Sequence, residues 1–346
     1  MTRVFVTGYL GYVGNPLTEL LLKEGFDVTG CDIHYFPQDG FGPRKTNADS
    51  TRIKHLNKDV RNLTEKDLTG HDAVLHLAAL SNDPMGEINP HLTEQINNLS
   101  SVQVARLAKK AGVKKFIFSS SCSVYGANDQ KPVDEQSSTA PITAYAKSKI
   151  EAEVPIIELQ DETFCPVILR SATAYGLSPS MRLDLVVNNL TASAYTTGKV
   201  KTSSDGTPWR PLVHVYDMAN AFVTAMKAPP KVVQGQIFNV GSNADNYTVR
   251  DIAYTIQDIV PGSTVDFAKD VGKDPRSYRV NFDKIANKLG FTPKRKLKES
   301  IKEIYDILKS MNFTQSDFDD KKYYRVKYLK WLLQEGRVDN DLRMKK

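Results

Sequence analysis

Short apolar runs alternate with longer segments of helical periodicity through the first half of the chain. The runs have the length of buried strands, and the segments between them repeat apolar residues every three or four positions. The predicted strands are Val4–Thr7, Asp27–Cys31, Ala73–Leu77, Lys115–Phe118 and Pro166–Leu169, and the predicted helices include Glu94–Ala111 and Ala146–Leu159. This alternation predicts parallel βαβ units and an α/β fold with a doubly wound parallel sheet.

The alternation loosens beyond about residue 175. Helical segments are predicted at Leu183–Thr196, Asp217–Ala228, Val249–Val260 and Leu297–Met311, with short strands such as Gln236–Val240 between them. Aromatic residues at helical spacing near the end predict a packed terminal helix. We predict a first domain over 1–175, a smaller, partly interleaved lobe over 176–315 with segments that return to the sheet, and a helical extension over 316–346.

A glycine-rich turn follows the first predicted strand. Gly8, Gly11 and Gly14 are separated by two residues each, and an apolar helical segment begins directly after them. In a strand–turn–helix unit, such glycines allow a tight turn, let backbone N–H groups approach a pyrophosphate, and let the helix pack close to the sheet. The second strand ends in Asp32, about 20 residues later, where a carboxylate can bind ribose hydroxyls. The pattern predicts a Rossmann-type dinucleotide site that prefers NAD to NADP.

Composition is that of a globular protein, with 346 residues, 40% hydrophobic and 25% charged. The net charge of +6 is spread along the chain without a nucleic-acid-binding motif, so we expect no nucleic-acid partner. No apolar run is long enough to span a membrane, and no signal peptide precedes the first strand, which predicts a cytoplasmic protein with no membrane partner. The cysteines Cys31, Cys122 and Cys165 have no metal-ligand spacing, so we expect no metal.

A second chemical pattern begins where the Lys115 strand opens into small hydroxyl residues, among them Ser121. Tyr145 and Lys149 follow, four residues apart and therefore on one face of a helix. A lysine ammonium beside a phenol, with a positive nicotinamide ring nearby, favours the tyrosinate and moves its pKa down from about 10 toward neutral pH. Ser121, Tyr145 and Lys149 are therefore the candidate catalytic residues, with Tyr145 as the base.

These motifs together resemble the extended short-chain dehydrogenase/reductase superfamily, in particular its NAD-dependent nucleotide-sugar epimerase/dehydratase family. The resemblance covers nearly the whole chain. Besides the glycine turn, Asp32 and the Ser–Tyr–Lys set, it rests on Asp59-Val60, Leu77-Ala78-Ala79, Asn97, the segment Arg210–Val215 and Asn239-Val240-Gly241.

The resemblance implies a role for each matching residue. Lys149 would bind the nicotinamide ribose, Ser121 would bind the sugar hydroxyl, and Tyr145 would remove its proton. The implied cofactor-binding residues are Gly8, Gly11, Gly14, Tyr12, Val13, Asp32, Asp59, Val60, Leu77, Ala78, Ala79, Asn97, Tyr145 and Lys149. The implied substrate-binding residues are Ser121, Cys122, Ser123, Thr173, Asn189, Arg210 and Arg276, with the two arginines on the diphosphate of a nucleotide-diphosphate sugar.

Two departures from the family pattern narrow the chemistry. Members that eliminate water carry Asp-Glu directly after the strand-end hydroxyl residue, and this chain has Cys122-Ser123. The difference disfavours dehydration and favours epimerisation. Thr173 stands where many members have a substrate-contacting asparagine, which leaves the identity of the sugar open.

The preferred hypothesis is an NAD-dependent nucleotide-sugar epimerase that acts at C4 through a transient 4-keto sugar. Three alternatives remain: a keto-sugar nucleotide reductase or dehydrogenase, a C3/C5 epimerase that uses the Cys122 thiol, and an NAD-sensing regulatory protein without turnover. The resemblance also implies a homodimer through the helices Glu94–Ala111 and Ala146–Leu159. Two histidines at strand ends, His76 and His214, are interpreted as buried structural groups.

Overall fold

A computed structural model of the chain describes residues 2–37, 41, 50–268 and 277–345. Arg276, which we predicted to contact the substrate, lies outside the described residues. The segment Asp39–Arg52 is rich in Gly, Pro, Asn and Ser, which predicts a loop, and it also falls largely outside the described residues, apart from Phe41 and a 3₁₀ helix at Ser50–Arg52.

The described residues form short strands and helices along the whole chain. The strands are β1 (Arg3–Thr7), β2 (Asp27–Asp32), β3 (Ile53–Asn57), β4 (Ala73–His76), β5 (Lys115–Ser121), β6 (Asn128–Val133), β7 (Cys165–Ser171), β8 (Thr173–Tyr175), β9 (Lys199–Lys201), β10 (Trp209–His214), β11 (Ile237–Val240), β12 (Asn246–Thr248), β13 (Thr264–Asp266) and β14 (Tyr278–Val280). The α-helices are α1 (Gly14–Lys23), α2 (Glu65–Leu68), α3 (Asp83–Gly86), α4 (Pro90–Thr93), α5 (Ser100–Lys110), α6 (Ala144–Ile157), α7 (Val186–Thr197), α8 (Val215–Lys227), α9 (Pro230–Val233), α10 (Val249–Ile259), α11 (Asp283–Leu289), α12 (Leu297–Ser310), α13 (Gln315–Asp319) and α14 (Arg325–Gln334).

A seven-stranded sheet in the order β11-β7-β5-β4-β1-β2-β3 organises the molecule, and all its neighbouring strands are parallel. Strand order reverses between β1 and β4, which is the topological switch point where a doubly wound sheet binds its ligand. The predicted α/β fold with a doubly wound parallel sheet is confirmed.

Helices cover both faces of this sheet. Because side chains alternate along a strand, Val4 and Val6 of β1 pack toward α1 and α8, whereas Phe5 packs toward α5 and α6. Both faces are therefore buried, which explains why β4 and β7 read as continuous apolar runs in the sequence.

The segment predicted as one helix over Glu94–Ala111 is helical but not uniform. It follows α4 directly, forms a π-helix at Glu94–Leu99 and continues as α5. At the junction, the hydroxyls of Ser100 and Ser101 donate hydrogen bonds to the carbonyls four residues earlier, at 2.6 Å each. Such side-chain bonds compete with the regular backbone ladder, and π-turns of this kind concentrate at functional sites.

A second apolar cluster joins α7, α10 and α12 in the C-terminal half. The helix predicted from Leu183 begins three residues later, at Val186. β11 lies far along the chain but pairs with β7, so this half contributes a strand to the main sheet. The division at residues 175 and 315 remains a prediction.

Near the C-terminus, α14 packs as the aromatic spacing predicted. Leu329 and Leu332 are buried against Leu80, Met85 and Leu92 of the first half. The chain therefore ends beside the carboxyl ends of the sheet strands. Among the described residues, every helix is too short or too polar to cross a bilayer.

Candidate functional site

The turn between β1 and α1 can be built only with glycine at its key positions. Gly8 has a φ of +70°, a conformation that L side chains rarely adopt. A Cβ added at Gly14 would lie 2.1 Å from the Gly8 carbonyl oxygen, so no side chain fits between helix and turn. The N-terminus of α1 has no side-chain cap, so no side chain competes with an anion there. In its first turn the Asn15 N–H donates to the Gly11 carbonyl at 3.1 Å, and Pro16 has no N–H.

Asp32 ends β2 beside this turn. Its carboxylate accepts hydrogen bonds from the backbone N–H groups of Leu10 at 3.2 Å and His34 at 3.0 Å. Burial raises the pKa of Asp32, and these backbone donors oppose the shift. The two bonds fix the carboxylate where a ribose would lie above the glycine turn.

One cavity of about 800 Å³ runs from Asp32 across the carboxyl ends of the strands into the C-terminal half. That volume is in the range of sites for cofactors and small substrates. The cavity is lined by most of the residues predicted to bind the cofactor, namely Gly8, Gly11, Tyr12, Val13, Gly14, Asp32, Asp59, Val60, Leu77, Ala78, Ala79, Tyr145 and Lys149. The uncapped helix N-terminus, the glycine contacts and the placed carboxylate together fit a dinucleotide.

The three candidate catalytic residues line this same cavity. Ser121 ends β5, and Tyr145 and Lys149 lie on the first turns of α6. Thr143 caps that helix by accepting the N–H of Ala146 at 3.1 Å, while its hydroxyl donates to Asp83 at 2.6 Å. Lys149 is 2% exposed, and its Nζ lies 5.9 Å from the centroid of the Tyr145 ring.

The protein's own residues raise the pKa of the Tyr145 phenol. Burial raises it to about 12, nearby Asp83 adds to the increase, and the hydrogen bond with Ser121 opposes it. Burial also lowers the pKa of Lys149 to about 7. The residues of the protein therefore favour a protonated phenol. The lowering of the Tyr145 pKa by Lys149 beside a nicotinamide ring stays a prediction.

A buried ion pair joins β7 to α6, the helix that carries Tyr145 and Lys149. Glu153, one turn after Lys149, accepts hydrogen bonds from Arg170 at distances down to 2.6 Å and one from Ser120. Both charged side chains are buried, at 1% and 4% exposed. Arg170 also donates to the Tyr125 hydroxyl at 3.0 Å. This network ties α6 to β5 and β7 directly beneath the catalytic residues.

Two predicted contact residues, Cys122 and Asn97, do not line the cavity. Cys122 is fully buried, and its thiol donates to the Arg170 carbonyl at 3.1 Å. Burial also raises the pKa of this thiol. Asn97 is fully buried behind the cavity, where its side chain pairs with the backbone of Leu80 at 2.8 and 3.1 Å. It shapes the cofactor wall but does not lie on it.

The other predicted substrate residues among those described line the cavity: Ser121, Ser123, Thr173, Asn189 and Arg210. The Ser123 hydroxyl lies 3.0 Å from that of Ser121. His76 and His214 are buried, as interpreted from the sequence. Burial lowers the pKa of each to about 3.

Several charged residues of the cavity wall had no contact assigned from the sequence, although the segment that ends in Arg182 was expected near the substrate. Arg182 is buried and forms a two-pronged pair with Asp184, at 2.8 and 3.0 Å, while its Nη1 donates to Ser81 at 3.0 Å. Asp83 and Arg325 also line the cavity. The Arg182-x-Asp184 spacing was a usable signal in the sequence, whereas nothing near Arg325 distinguished it from an ordinary helix-surface residue.

Comparison with known proteins gives one family. The sequence model of the NAD dependent epimerase/dehydratase family matches residues 4–241. The UDP-glucose 4-epimerase of Corynebacterium glutamicum is 26% identical over 308 residues, which cover 84% of this chain and 91% of that protein. At 84% of this chain, the match extends beyond residue 241, where the match to the family model ends.

Solved structures show the same fold. A UDP-glucuronic acid 4-epimerase from Bacillus cereus, solved with UDP-glucuronic acid and NAD, has a TM-score of 0.77 and 24% identity over 90% of this chain and 100% of that one. An NAD-dependent NDP-hexosamine 5,6-dehydratase of tunicamycin biosynthesis has a TM-score of 0.78 and 24% identity over 90% and 98%. At this identity the likeness establishes the fold and does not separate epimerisation from dehydration.

Proposed function

The chain belongs to the NAD-dependent epimerase/dehydratase family, and from that premise we propose that it is an NAD-dependent nucleotide-sugar 4-epimerase. The observation that carries the proposal is the meeting of Ser121, Tyr145 and Lys149 with the dinucleotide turn in one cavity. Cys122-Ser123 follows the strand-end serine, where dehydrating members carry Asp-Glu, and the buried Cys122 thiol cannot replace those groups. Epimerisation at C4 needs neither the Asp nor the Glu of the dehydrating members.

In this proposal, each residue acts on a proton or a charge of the substrate. The Ser121 hydroxyl orients the C4 hydroxyl of the sugar, and Tyr145 removes its proton and later returns it. Lys149 holds the ribose. Because burial lowers its pKa to about 7, Lys149 gains or loses its proton near neutral pH and so changes the charge beside the phenol. Bound NAD would supply the hydride acceptor at C4 and a positive ring that favours tyrosinate. Arg210 faces the diphosphate from the far end of the cavity.

A panel experiment tests the proposal. The purified protein is denatured to release bound nucleotide for mass spectrometry, and the native protein is incubated with UDP-, GDP-, CDP- and dTDP-sugars. We expect copurified NAD and a C4 epimer of one sugar, without accumulation of NADH in solution. Steady production or consumption of NADH would instead identify a dehydrogenase or reductase, and a 4-keto-6-deoxy product would identify a dehydratase.

Asp32→Ala should weaken NAD binding about 10- to 100-fold, because the ribose hydroxyls lose a charged acceptor. Asp32→Asn, which keeps an acceptor for Leu10 and His34, should relax discrimination against NADP while preserving the turn. Binding is measured by titration with NADH and NADPH. Asp27→Ala, at the opposite end of the same strand, is the matched control. Unchanged NADH/NADPH preference in both Asp32 variants would show that this carboxylate does not contact the ribose.

We also propose a homodimer formed through α5, α6 and the π-helix between α4 and α5. Leu99 and Val154 on these elements are 57% and 58% exposed, which is unusual for large aliphatic side chains and fits a helix-to-helix contact.

A cytoplasmic location completes the proposal. Cys31, Cys122 and Cys165 are all buried free thiols, which fits a reducing compartment.

A further inference from the structure

Part of the cavity wall comes from the C-terminal extension. Tyr324, Arg325, Val326 and Lys327, at the start of α14, line the same cavity as the glycine turn and Asp32. Arg325 is 3% exposed, so its charge lies inside the protein and not on its surface. Its aromatic spacing predicted a packing role for this segment, which also brings a cation to the cofactor site.

The hydrogen bonds of Arg325 leave part of its guanidinium without a protein acceptor. Nη2 donates to the Ser180 carbonyl at 3.0 Å and to the Ser180 hydroxyl at 2.6 Å. The guanidinium carbon lies 4.1 Å from the centroid of the Phe36 ring. Among the described residues, no carboxylate forms an ion pair with Arg325, whereas the neighbouring Arg182 is paired with Asp184.

Among the described residues, the charges around Arg325 leave its guanidinium without a contacting carboxylate. Arg182 and Asp184 form an ion pair with each other, and Asp184 and Asp32 act on Arg325 only through space. Burial, together with the like charge of Arg182, lowers the pKa of Arg325 to about 9, and the two carboxylates oppose this decrease. Burying an unpaired ion is costly, and a phosphate group in the cavity would offset that cost.

The surrounding structure fixes Arg325 relative to the glycine turn. Ser180, which holds the guanidinium, is two residues from Ser178, whose hydroxyl donates to the carbonyl of Tyr12 in the turn at 2.7 Å. On the other side, the tail after α14 is bonded to the part of the cavity wall that contains Tyr35 and Arg61. The Tyr35 hydroxyl donates to the Leu342 carbonyl, and Nη1 of Arg61 donates to the Asp341 carbonyl at 2.7 Å.

We propose that Arg325 is a cofactor-binding residue whose guanidinium pairs with a phosphate group of the dinucleotide. The position is preorganised by Ser180, Phe36 and the anchored tail, so little conformational entropy is lost when the phosphate binds. The forked donors of arginine suit a phosphate oxygen pair better than a lysine would. The proposal concerns cofactor binding alone and does not depend on which sugar is converted.

The test measures dinucleotide affinity in Arg325→Gln, by titration of nucleotide-free protein with NADH, NADPH and ADP-ribose. We expect affinity for NADH and ADP-ribose to fall about 10- to 100-fold, because a charge-assisted hydrogen bond is lost. Equal losses for NADH and NADPH would place Arg325 on the bridging pyrophosphate. A loss confined to NADPH would place it on the 2′-phosphate.

Two further variants keep the test decisive. Arg337→Gln is the matched control, because Arg337 lies in the same segment but is exposed and stacks on Trp331. It should bind every ligand as the native protein does. Arg325→Lys keeps the charge, so it should fold even if the glutamine variant does not, and it should bind NADH with an intermediate affinity. Native affinity for all three ligands in a folded Arg325 variant would overturn the proposal.

Discussion

Replacing Tyr145 by phenylalanine should lower kcat about a thousandfold, because a positioned acid–base group contributes two to four orders of magnitude. The substitution removes only the hydroxyl. The phenol lies on the cavity wall, four residues before Lys149, and interacts with the Ser121 hydroxyl. Rate is measured as formation of the epimer, and bound NAD is measured after denaturation.

The cofactor content should not change in this variant, since the ring and its packing remain. Tyr254→Phe is the matched control, because that tyrosine is 50% exposed and does not line the cavity. It should keep native kcat. Full activity in Tyr145→Phe would remove Tyr145 as the base, and loss of bound NAD would assign it a structural role.

Replacing Glu153 by alanine should lower the free energy of unfolding by about 3–5 kcal/mol, the usual cost of leaving one member of a buried ion pair unpaired. Arg170 would keep its charge beneath the sheet, and Ser120 would lose its acceptor. Stability is measured by urea denaturation at neutral pH. Because α6 also carries Lys149 one turn earlier, kcat should fall as well.

The double variant Glu153→Met, Arg170→Met separates charge from packing. It removes both charges and should recover a large part of the stability lost by Glu153→Ala, because two apolar side chains leave no buried ion. The matched control is Glu162→Ala, an exposed loop residue, which should stay within about 0.5 kcal/mol of the native protein. If Glu153→Ala also stayed in that range, the pair would have no structural importance.

The features that depend on local sequence were predictable. Short apolar runs located the strands of the main sheet, because both faces of these strands are buried. The 3.6-residue periodicity located the helices beside it, because each helix buries one face. The glycine turn, Asp32 and the Tyr145–Lys149 pair could be recognised because each depends on few residues. The turn needs close backbone approach, Asp32 ends a strand, and Tyr145 and Lys149 lie one helical turn apart. Whether these residues act as predicted is for the substitutions above to decide.

The features that depend on distant packing were not predictable. Arg325 reaches the cofactor cavity because α14 packs on Leu80 and Met85. This contact joins residues far apart in the sequence. The burial of Tyr145 and Lys149, which raises the pKa of the phenol and lowers that of the ammonium, depends on several elements at once. The direction of Cys122 was not predictable either. Cys122 begins a 3₁₀ helix directly after β5, and this helix places its thiol on the Arg170 carbonyl while Ser121 and Ser123 line the cavity.

In the proposed reaction, C4 of the sugar is oxidised transiently and reduced again on its other face. The direct test uses the nucleotide sugar that the panel identifies, labelled with deuterium at C4, in ordinary water. We expect an epimer with inverted C4 that keeps the deuterium, because the hydrogen removed from that carbon returns to it without mixing with solvent. Loss of the deuterium to water, or inversion at C3 or C5 instead, would contradict it.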